Sequence, residues 1–288
     1  MSEEKNIPGT IPFRIVAACA AIIVTLLVLC VLTGNPVPFT GSPFGTTGPA
    51  QDTVIALPGT CPPGFVPEQP APVVPESLAA TTLTLTLPPA GDRVPYTARG
   101  FEQPVEAAIA WWMSPGFADN TTEFRGYERK TPDGKQAYPE EHRIFFTFIE
   151  DQLDAAEQQS VLESDHLLFR GINPSVAGTV MNTSWYHEPA FASTSYDISF
   201  SLDAFGVRSP DGFRNVLVLE RDAGDHALYI NEDEREYLLP RGSDWIVTRA
   251  INVENLTVTA DFPLHDRATG TASFDHVRLI SVRPASCP

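Results

Sequence analysis

The sequence predicts an α+β fold, because two amphipathic helical regions come first and a series of short β-like runs follows. In the first region, 101–114, one helical face is apolar: Val105, Ala108, Ile109 and Trp112. The second region, 140–162, repeats its apolar residues at the same spacing: Phe145, Phe148, Ile149, Leu153 and Ala156. Because helices and strands are segregated along the chain, the strands are expected to be mainly antiparallel.

The β-like runs lie mostly in the second half of the chain. One earlier run alternates leucine with threonine at Leu83, Leu85 and Leu87, which is the period of a half-buried strand. The folded domain, 81–288, is therefore expected to begin there. The later runs are 167–169, 190–193, 216–219, 237–239, 245–247, 256–260 and 276–282. No G-x-G-x-x-G motif follows a strand, so nothing in the sequence favours a Rossmann domain.

The charge of the chain argues against nucleic acid as a partner. The formal net charge is −17 and the isoelectric point is near 4.6. Such a chain repels a phosphate backbone. The histidines show no spacing typical of metal ligands, so no metal is expected.

The N-terminal part of the chain predicts a membrane anchor followed by a spacer. The segment 15–33 contains the uncharged run IVAACAAIIVTLLVLCVL, long enough to cross most of a bilayer as a helix. Arg14 precedes it and no Lys or Arg follows until Arg93, which places residues 1–14 in the cytoplasm and the rest outside. A cleaved signal peptide is the alternative, and the protein would then be secreted. The Pro-, Gly- and Thr-rich stretch 34–80 predicts an extended extracytoplasmic stalk.

Three separated motifs are candidates for a functional site. The first is Arg170-Gly171 at the end of an apolar run, and the second is Ser-Thr-Ser at 193–195. The third is Glu234-Arg-Glu236, followed by Tyr-Leu-Leu-Pro-Arg-Gly. Each motif alone is common in proteins, so the signal lies in their joint order and flanking residues.

In this order, Arg, Ser-Thr-Ser and Glu-x-Glu, the sequence resembles the bacterial mono-ADP-ribosyltransferase exoenzymes that modify arginine, over roughly 101–282. The resemblance implies the fold of these toxins, in which N-terminal helices pack on two mainly antiparallel β-sheets. It also implies that NAD is the substrate and that the ADP-ribose acceptor is an arginine of a target protein.

The two glutamates fit the chemistry that the resemblance implies. Cleavage of the nicotinamide–ribose bond develops positive charge on the ribose, as in glycoside cleavage, and a nearby carboxylate stabilises that charge. The resemblance assigns this role to Glu236. Because residues two apart in a strand share a face, Glu234 is expected to face the same pocket. There it would deprotonate the incoming guanidinium.

The resemblance also assigns contacts to NAD. Arg170 would supply a permanent, planar positive charge for the diphosphate. Gly171 would leave its backbone open to the nicotinamide amide. Ser193 is expected to hydrogen-bond Glu236 and fix its direction, while Thr194 and Ser195 complete the cofactor-binding strand and hold its geometry.

Two further stretches have counterparts in the family. Residues 197–215 correspond to a loop over the nicotinamide phosphate, in which Phe200, Phe205 and Arg208 either contact NAD or serve the core and surface. Residues 222–233 are expected to form the loop that recognises the target. Within that loop Tyr229 either touches the target or packs internally.

Two other functions remain open at this point. In an NAD glycohydrolase, water takes the place of arginine and needs less help from a second base such as Glu234. In an inactive surface-binding domain, the fold would persist without catalysis. The presence of Arg170, Ser193 and Glu236 together argues against that second alternative.

The region outside the membrane is expected to carry one disulfide, Cys61–Cys287. Cys19 and Cys30 lie in the apolar segment, so these two are the cysteines that bracket the folded region, and an oxidising compartment permits the bridge. Two free thiols are the alternative. Closing so long a loop would stabilise the fold by about 4–5 kcal/mol at most. Mass spectrometry of exported protein, alkylated before and after reduction, checks this, and free thiols before reduction would contradict both the bridge and the oxidising compartment.

Overall fold

The computed structural model describes residues 71–114 and 118–285, and the side chains of 115–121 are not included in that description. The predicted segment 15–33, nearly all of the predicted stalk and the Cys61–Cys287 pair lie outside the described residues. Among the helices of the described ranges, none is long and apolar enough to cross a membrane.

Both helical regions expected from periodicity are present. A 3-10 turn at Tyr96–Ala98 leads into α1 (Gln103–Trp112), which buries the predicted face. The second region contains α4 (Glu140–Gln158), which buries Ile149, Leu153 and Ala156. The assignment of Phe148 to that face was wrong: it is 42% exposed, and Phe146, three residues before Ile149, takes its place.

Four helices within the described ranges were not predicted from periodicity. They are α2 (Ala118–Glu128), α3 (Pro132–Lys135), α5 (Pro174–Thr183) and α6 (Ile198–Phe205). Helix α6 replaces the start of the predicted loop 197–215. Its N-cap is Asp197, whose carboxylate accepts a hydrogen bond from the Ser199 N–H at 2.8 Å, and this satisfies a helix-end donor that would otherwise lack a partner.

The strands follow the predicted runs but are longer and include two that were missed. Their bounds are β1 (Glu76–Leu85), β2 (His166–Ile172), β3 (Trp185–Glu188), β4 (Ala192–Ser195), β5 (Arg214–Arg221), β6 (Leu228–Asn231), β7 (Glu236–Leu239), β8 (Ser243–Ala260) and β9 (Thr271–Pro284). Strand β1 begins at Glu76, five residues before the domain boundary placed at 81. Strands β3 and β6 had no counterpart in the sequence analysis.

Among the described residues, the strands form one connected sheet in the order β1-β8-β9-β5-β2-β4-β7-β6, and β3 pairs with β8. The expectation of two separate sheets was therefore wrong. The reason is β5, which pairs with β2 on one edge and with β9 on the other and so joins the two halves. Most pairings are antiparallel, as expected, and β1-β8 and β5-β9 are parallel.

The end of the sheet that carries β4, β6 and β7 is buried on both faces. Strand β7 shows the alternation: Leu238 packs with the core formed by α1, α2 and α4, whereas Tyr237 and Leu239 pack with the core between the strands. Burial on both sides fixes the register of these short strands. It therefore fixes where the Ser-Thr-Ser and Glu-x-Glu motifs meet.

Candidate active site

Arg170 lies on β2 and is held by two neighbours. Its Nη1 donates to the carbonyl of Ser193 on β4 at 3.0 Å, and its Nη2 donates to the Glu188 carboxylate on β3 at 2.9 Å. The first bond links the Arg motif to the Ser-Thr-Ser motif directly. The guanidinium is thereby fixed in direction before any ligand binds.

Glu188 was not singled out from the sequence, yet it organises this part of the molecule. Its buried carboxylate also accepts from Arg129, which directly follows α2, at 2.9 and 3.1 Å from Nη2, and from the Tyr186 hydroxyl at 2.8 Å. Burial opposes ionisation, but Arg170 and Arg129 outweigh it and hold the pKa of Glu188 below its ordinary value. A glutamate flanked by Tyr186 and the apolar run 190–192 was a signal for such a buried, paired acid.

The Ser-Thr-Ser motif forms β4, antiparallel to β7, with Ser195 opposite Glu236. The Ser193 side chain hydrogen-bonds the Glu236 carboxylate. The Thr194 hydroxyl donates to the Tyr237 carbonyl at 2.9 Å, and the Ser195 hydroxyl donates to the Glu234 carbonyl at 3.0 Å. Ser193 therefore contacts the acid itself, while the other two hydroxyls hold the backbone on either side of it.

Glu236 is the first residue of β7 and is 5% exposed. Its Oε1 accepts from the Trp112 indole N–H on α1 at 3.3 Å, and its Oε2 accepts from the Asn231 amide on β6 at 3.2 Å. With Ser193, donors from three different elements converge on one carboxylate. This saturation lets an acid remain in an interior that would otherwise exclude it.

The electrostatic environment of Glu236 is divided. Burial raises the pKa of Glu236 and the Glu234 carboxylate adds to the effect, whereas the Ser193 and Trp112 hydrogen bonds and the charge of Arg125 oppose it. The net shift is upward. A carboxylate with a raised pKa close to a cluster of arginines is a functional-site candidate on physical grounds.

Glu234 does not lie in a strand, so the period-two argument for its direction was wrong. It belongs to the turn 232–235 between β6 and β7, and Arg235 after it has a left-handed φ of 54°. Its side chain is exposed, and its N–H donates to the Asn231 Oδ1 at 2.6 Å. Loss of water contact raises the pKa of Glu234, with His265 opposing. Its influence on Glu236 places both acids in one neighbourhood.

Gly171 has a different local role from the one expected. A Cβ at this position would lie 2.7 Å from the Phe205 Cβ and 2.7 Å from the Ser201 carbonyl, both on α6. Glycine is therefore required by the close packing of α6 on β2. The side of Gly171 where a Cβ would stand is filled by α6 and is closed to a cofactor in this conformation.

A small cleft of about 90 Å³ joins the Arg and Ser-Thr-Ser motifs. Its walls come from β2, β4, α2 and α6: Arg125, Phe169, Arg170, Gly171, Ser193, Thr194, Ser195, Phe200, Ser201 and Phe205. All five residues expected to bind the cofactor from the first two motifs are on these walls. Glu236 is not on these walls, but Ser193, which is, hydrogen-bonds its carboxylate.

Arg125 on α2 is a cleft residue that the sequence analysis missed. Its guanidinium lies 4.9 Å from the centre of the Trp112 ring, and among the described residues its Nε has no hydrogen-bond partner. Burial, with the repulsion of Arg170, lowers the pKa of Arg125 to about 10, so it stays charged at neutral pH. Two arginine charges therefore face one small cleft, which is the arrangement of an anion site.

In the stretches 197–215 and 222–233, several residues had two possible roles, and the structure separates the residues that line the cleft from those that do not. Phe200 and Phe205 line the cleft, whereas Arg208 points away and pairs with Asp275 at 3.0 Å. The expectation that 222–233 is a loop was wrong, because β6 occupies its second half. Tyr229 is 1% exposed and its hydroxyl donates to Glu232, so it packs internally and is not available to a target.

No group of three or more His, Cys, Asp or Glu within the described ranges is arranged to hold a metal ion. The absence of a metal cofactor stays a prediction from the sequence.

The chain was compared with known proteins by sequence and by structure. No protein-family model matches the chain, and no curated protein matches it in sequence. Among solved structures it is similar to Plx2a, an ADP-ribosyltransferase toxin from Paenibacillus larvae (14% identity, 65% of this chain and 88% of that chain, TM-score 0.44). It is also similar to Vis toxin, an ADP-ribosyltransferase from Vibrio splendidus (16%, 65% and 75%, TM-score 0.43). A third is C3stau2 from S. aureus with NAD (16%, 66% and 91%, TM-score 0.41). With TM-scores below 0.5, these similarities assign neither family nor activity, and the function has to be argued from the site.

Proposed function

We propose that this chain is an NAD-dependent mono-ADP-ribosyltransferase, which moves ADP-ribose from NAD to an arginine side chain of a target protein and releases nicotinamide. The observation that carries the proposal is the placement of Glu236. This buried acid is hydrogen-bonded to Ser193, which lines a cleft together with Arg125 and Arg170. The side chain of Ser193 thus links the cleft, where the two arginines can bind an anion, to the fixed carboxylate of Glu236.

In this proposal the arginines hold the diphosphate and the acid acts on the ribose. The bond between the nicotinamide nitrogen and the ribose C1′ breaks, and its electron pair leaves with neutral nicotinamide. The ribose becomes oxocarbenium-like, and the Glu236 carboxylate stabilises that charge where it develops. Its hydrogen bonds to Trp112, Asn231 and Ser193 keep the carboxylate from turning away.

The acceptor step assigns a separate task to Glu234. A guanidinium nitrogen attacks C1′, forms the new bond and must lose a proton, which Glu234 takes. The exposed position of Glu234, next to the buried Glu236, suits a base that meets a protein substrate at the surface. Loss of water contact raises the pKa of Glu234, and a higher pKa makes its carboxylate a stronger base.

The cleft has to widen before it holds a dinucleotide. Its volume of about 90 Å³ is well below the roughly 300–1,000 Å³ of drug-sized ligand sites. Phe205 is the side chain to move, because it lies over Gly171 and is 51% exposed. A shift of α6 away from β2 would open the Gly171 backbone that the sequence analysis assigned to nicotinamide.

NAD hydrolysis is a second candidate activity. It is favoured by the left-handed turn at Arg235, which takes Glu234 out of the strand and leaves its carboxylate exposed to water. Water needs less help from a second base than a guanidinium does. Substitution of Glu234 separates the two activities.

The surroundings of the enzyme are proposed from the sequence alone. The segment 15–33 would anchor the chain in the membrane with the catalytic domain outside, or the protein would be secreted if that segment is cleaved. The acidic net charge makes nucleic acid an improbable partner. The partners would then be NAD, a protein substrate and the membrane.

Glu236→Gln is expected to abolish NAD cleavage with little loss of stability, since the amide keeps the shape but not the charge. Loss of one such electrostatic contact costs on the order of a hundredfold or more in rate. The measurement is release of nicotinamide from NAD by the purified chain. Glu254→Gln, an exposed acid on β8, is the matched control and should keep wild-type activity. Wild-type turnover in Glu236→Gln would reject the mechanism.

Glu234→Gln is expected to remove transfer to arginine while leaving most NAD hydrolysis, because the guanidinium needs a base and ribose ionisation does not. Transfer of labelled ADP-ribose to agmatine or to an arginine-rich protein is compared with nicotinamide release. Asp233→Asn removes the same charge from the same turn and should leave both activities near wild type. Equal loss of both activities in Glu234→Gln would contradict the division of labour.

Arg170→Lys is expected to raise the KM for NAD by about tenfold or more, since an ammonium cannot reproduce two directed donors. Initial rates over a range of NAD concentrations give the value, and a melting curve reports any loss of the Glu188 contact. Arg208→Lys, at an exposed pair outside the cleft, is the control. An unchanged KM would mean that Arg170 serves only the fold.

A further inference from the structure

One amide side chain connects the two candidate acids. Asn231 is the last residue of β6 and pairs with Glu236 in the sheet register, next to an irregularity after Tyr229. Its Oδ1 accepts the N–H of Glu234 at 2.6 Å, and its Nδ2 donates to Oε2 of Glu236 at 3.2 Å. The same planar group therefore fixes the backbone that carries one acid and the carboxylate of the other.

The turn between the acids needs such support. Arg235 has the left-handed conformation, which is unfavourable for a residue with a side chain. From one side Arg235 is held by an ion pair with the fully buried Asp197 and by its carbonyl, which accepts the Tyr196 N–H at 3.2 Å. From the other side Asn231 closes the turn at Glu234. Backbone strain is thus balanced by specific contacts at the point where Glu234 must be aimed.

We propose that Asn231 is a positioning residue whose amide holds both acids for the two halves of one reaction, by closing the turn that carries Glu234 and by donating to the Glu236 carboxylate. The inference rests on the proposed function and deepens it. It also explains how Glu234 serves the same site although it lies outside the strand. Nothing in the motif pattern of the sequence indicated Asn231.

The charges around Glu236 determine how a test should be read. Glu234 in the turn is the nearby negative group, and Arg125 on α2 is the nearby positive one. Beyond Arg125 lie Arg170 on β2 and Glu188 on β3, which influence Arg125 in turn. A change at Asn231 that adds negative charge beside Glu236 therefore works with Glu234 and against Arg125.

Asn231→Asp is the discriminating variant, because it keeps the shape and the Oδ1 acceptor but replaces the donor with a second acidic oxygen. Like charges at hydrogen-bond distance raise one carboxyl pKa strongly, so we expect the pKa of Glu236 to rise by at least about one pH unit. NMR titration of ¹³C-carboxyl-labelled glutamate in the full chain measures this, with the Glu236 signal assigned by its loss in Glu236→Gln. The acidic limb of the NAD cleavage profile should move to higher pH by the same amount, with the rate recovering on the alkaline side.

Asn255→Asp is the matched control, since Asn255 is exposed on β8 and the change adds the same charge away from the site. It should leave both the titration and the profile unchanged. An unchanged Glu236 titration and profile in Asn231→Asp would overturn the inference while leaving the proposed function intact. If the wild-type chain cleaves no NAD, the proposed function fails, and the titration still decides whether Asn231 acts on Glu236.

Discussion

The arrangement of the residues around the cleft depends on the ion pairs that the buried Glu188 carboxylate forms. An isolated ionised carboxylate in a protein interior costs several kcal/mol, and removing a partner from a buried pair costs about 3–5 kcal/mol. Glu188 is stabilised because Arg129, Arg170 and Tyr186 all reach it. The turn that follows helix α2, strand β2 and strand β3 are therefore joined at one point. Contacts within the fold therefore hold Arg170 in place before any ligand binds.

A second buried acid, Glu236, has a different electrostatic environment from that of Glu188. Glu236 receives hydrogen bonds from Trp112, Asn231 and Ser193. In the part of the chain that the structure describes, no arginine forms an ion pair with it as Arg129 and Arg170 do with Glu188. The pKa of Glu188 is accordingly lowered and that of Glu236 is raised. One carboxylate is neutralised by its partners and serves structure. The other forms no ion pair with an arginine among the described residues, so its ionised form can stabilise a positive charge that develops nearby.

Sequence periodicity predicted the two main amphipathic helices of this fold. The motifs and the stretches beside them predicted most of the residues that line the cleft. The face of α1 followed from helical spacing, and three short motifs lie together as their order indicated. The features that the sequence did not predict depend on contacts between residues that are distant in sequence. The structural role of Glu188 comes from its ion pairs with Arg129 and Arg170, which are far from it in sequence. The direction of the Glu234 side chain depends on the left-handed backbone conformation of Arg235. An argument from the two-residue period of a strand cannot predict such a conformation. Helix α6 was indicated by its N-cap Asp197 alone, a signal weaker than the hydrophobic pattern around it.

Local charge in the cleft runs against the charge of the whole chain. The formal net charge is −17, yet three arginines, Arg125, Arg129 and Arg170, gather around the cleft and the buried Glu188 carboxylate. Glu128 on α2 does not cancel this, because burial raises its pKa to about 8 and keeps it mostly neutral at pH 7. Arg129 and Arg170 both pair with Glu188, and the positive charges that line the cleft are those of Arg125 and Arg170. An acidic surface repels polyanions, while a short-range positive centre still binds a compact diphosphate once it enters, because screening limits the repulsion to about 8 Å at physiological salt. This separation of long-range and short-range charge favours a small anionic cosubstrate over nucleic acid as the occupant of the cleft.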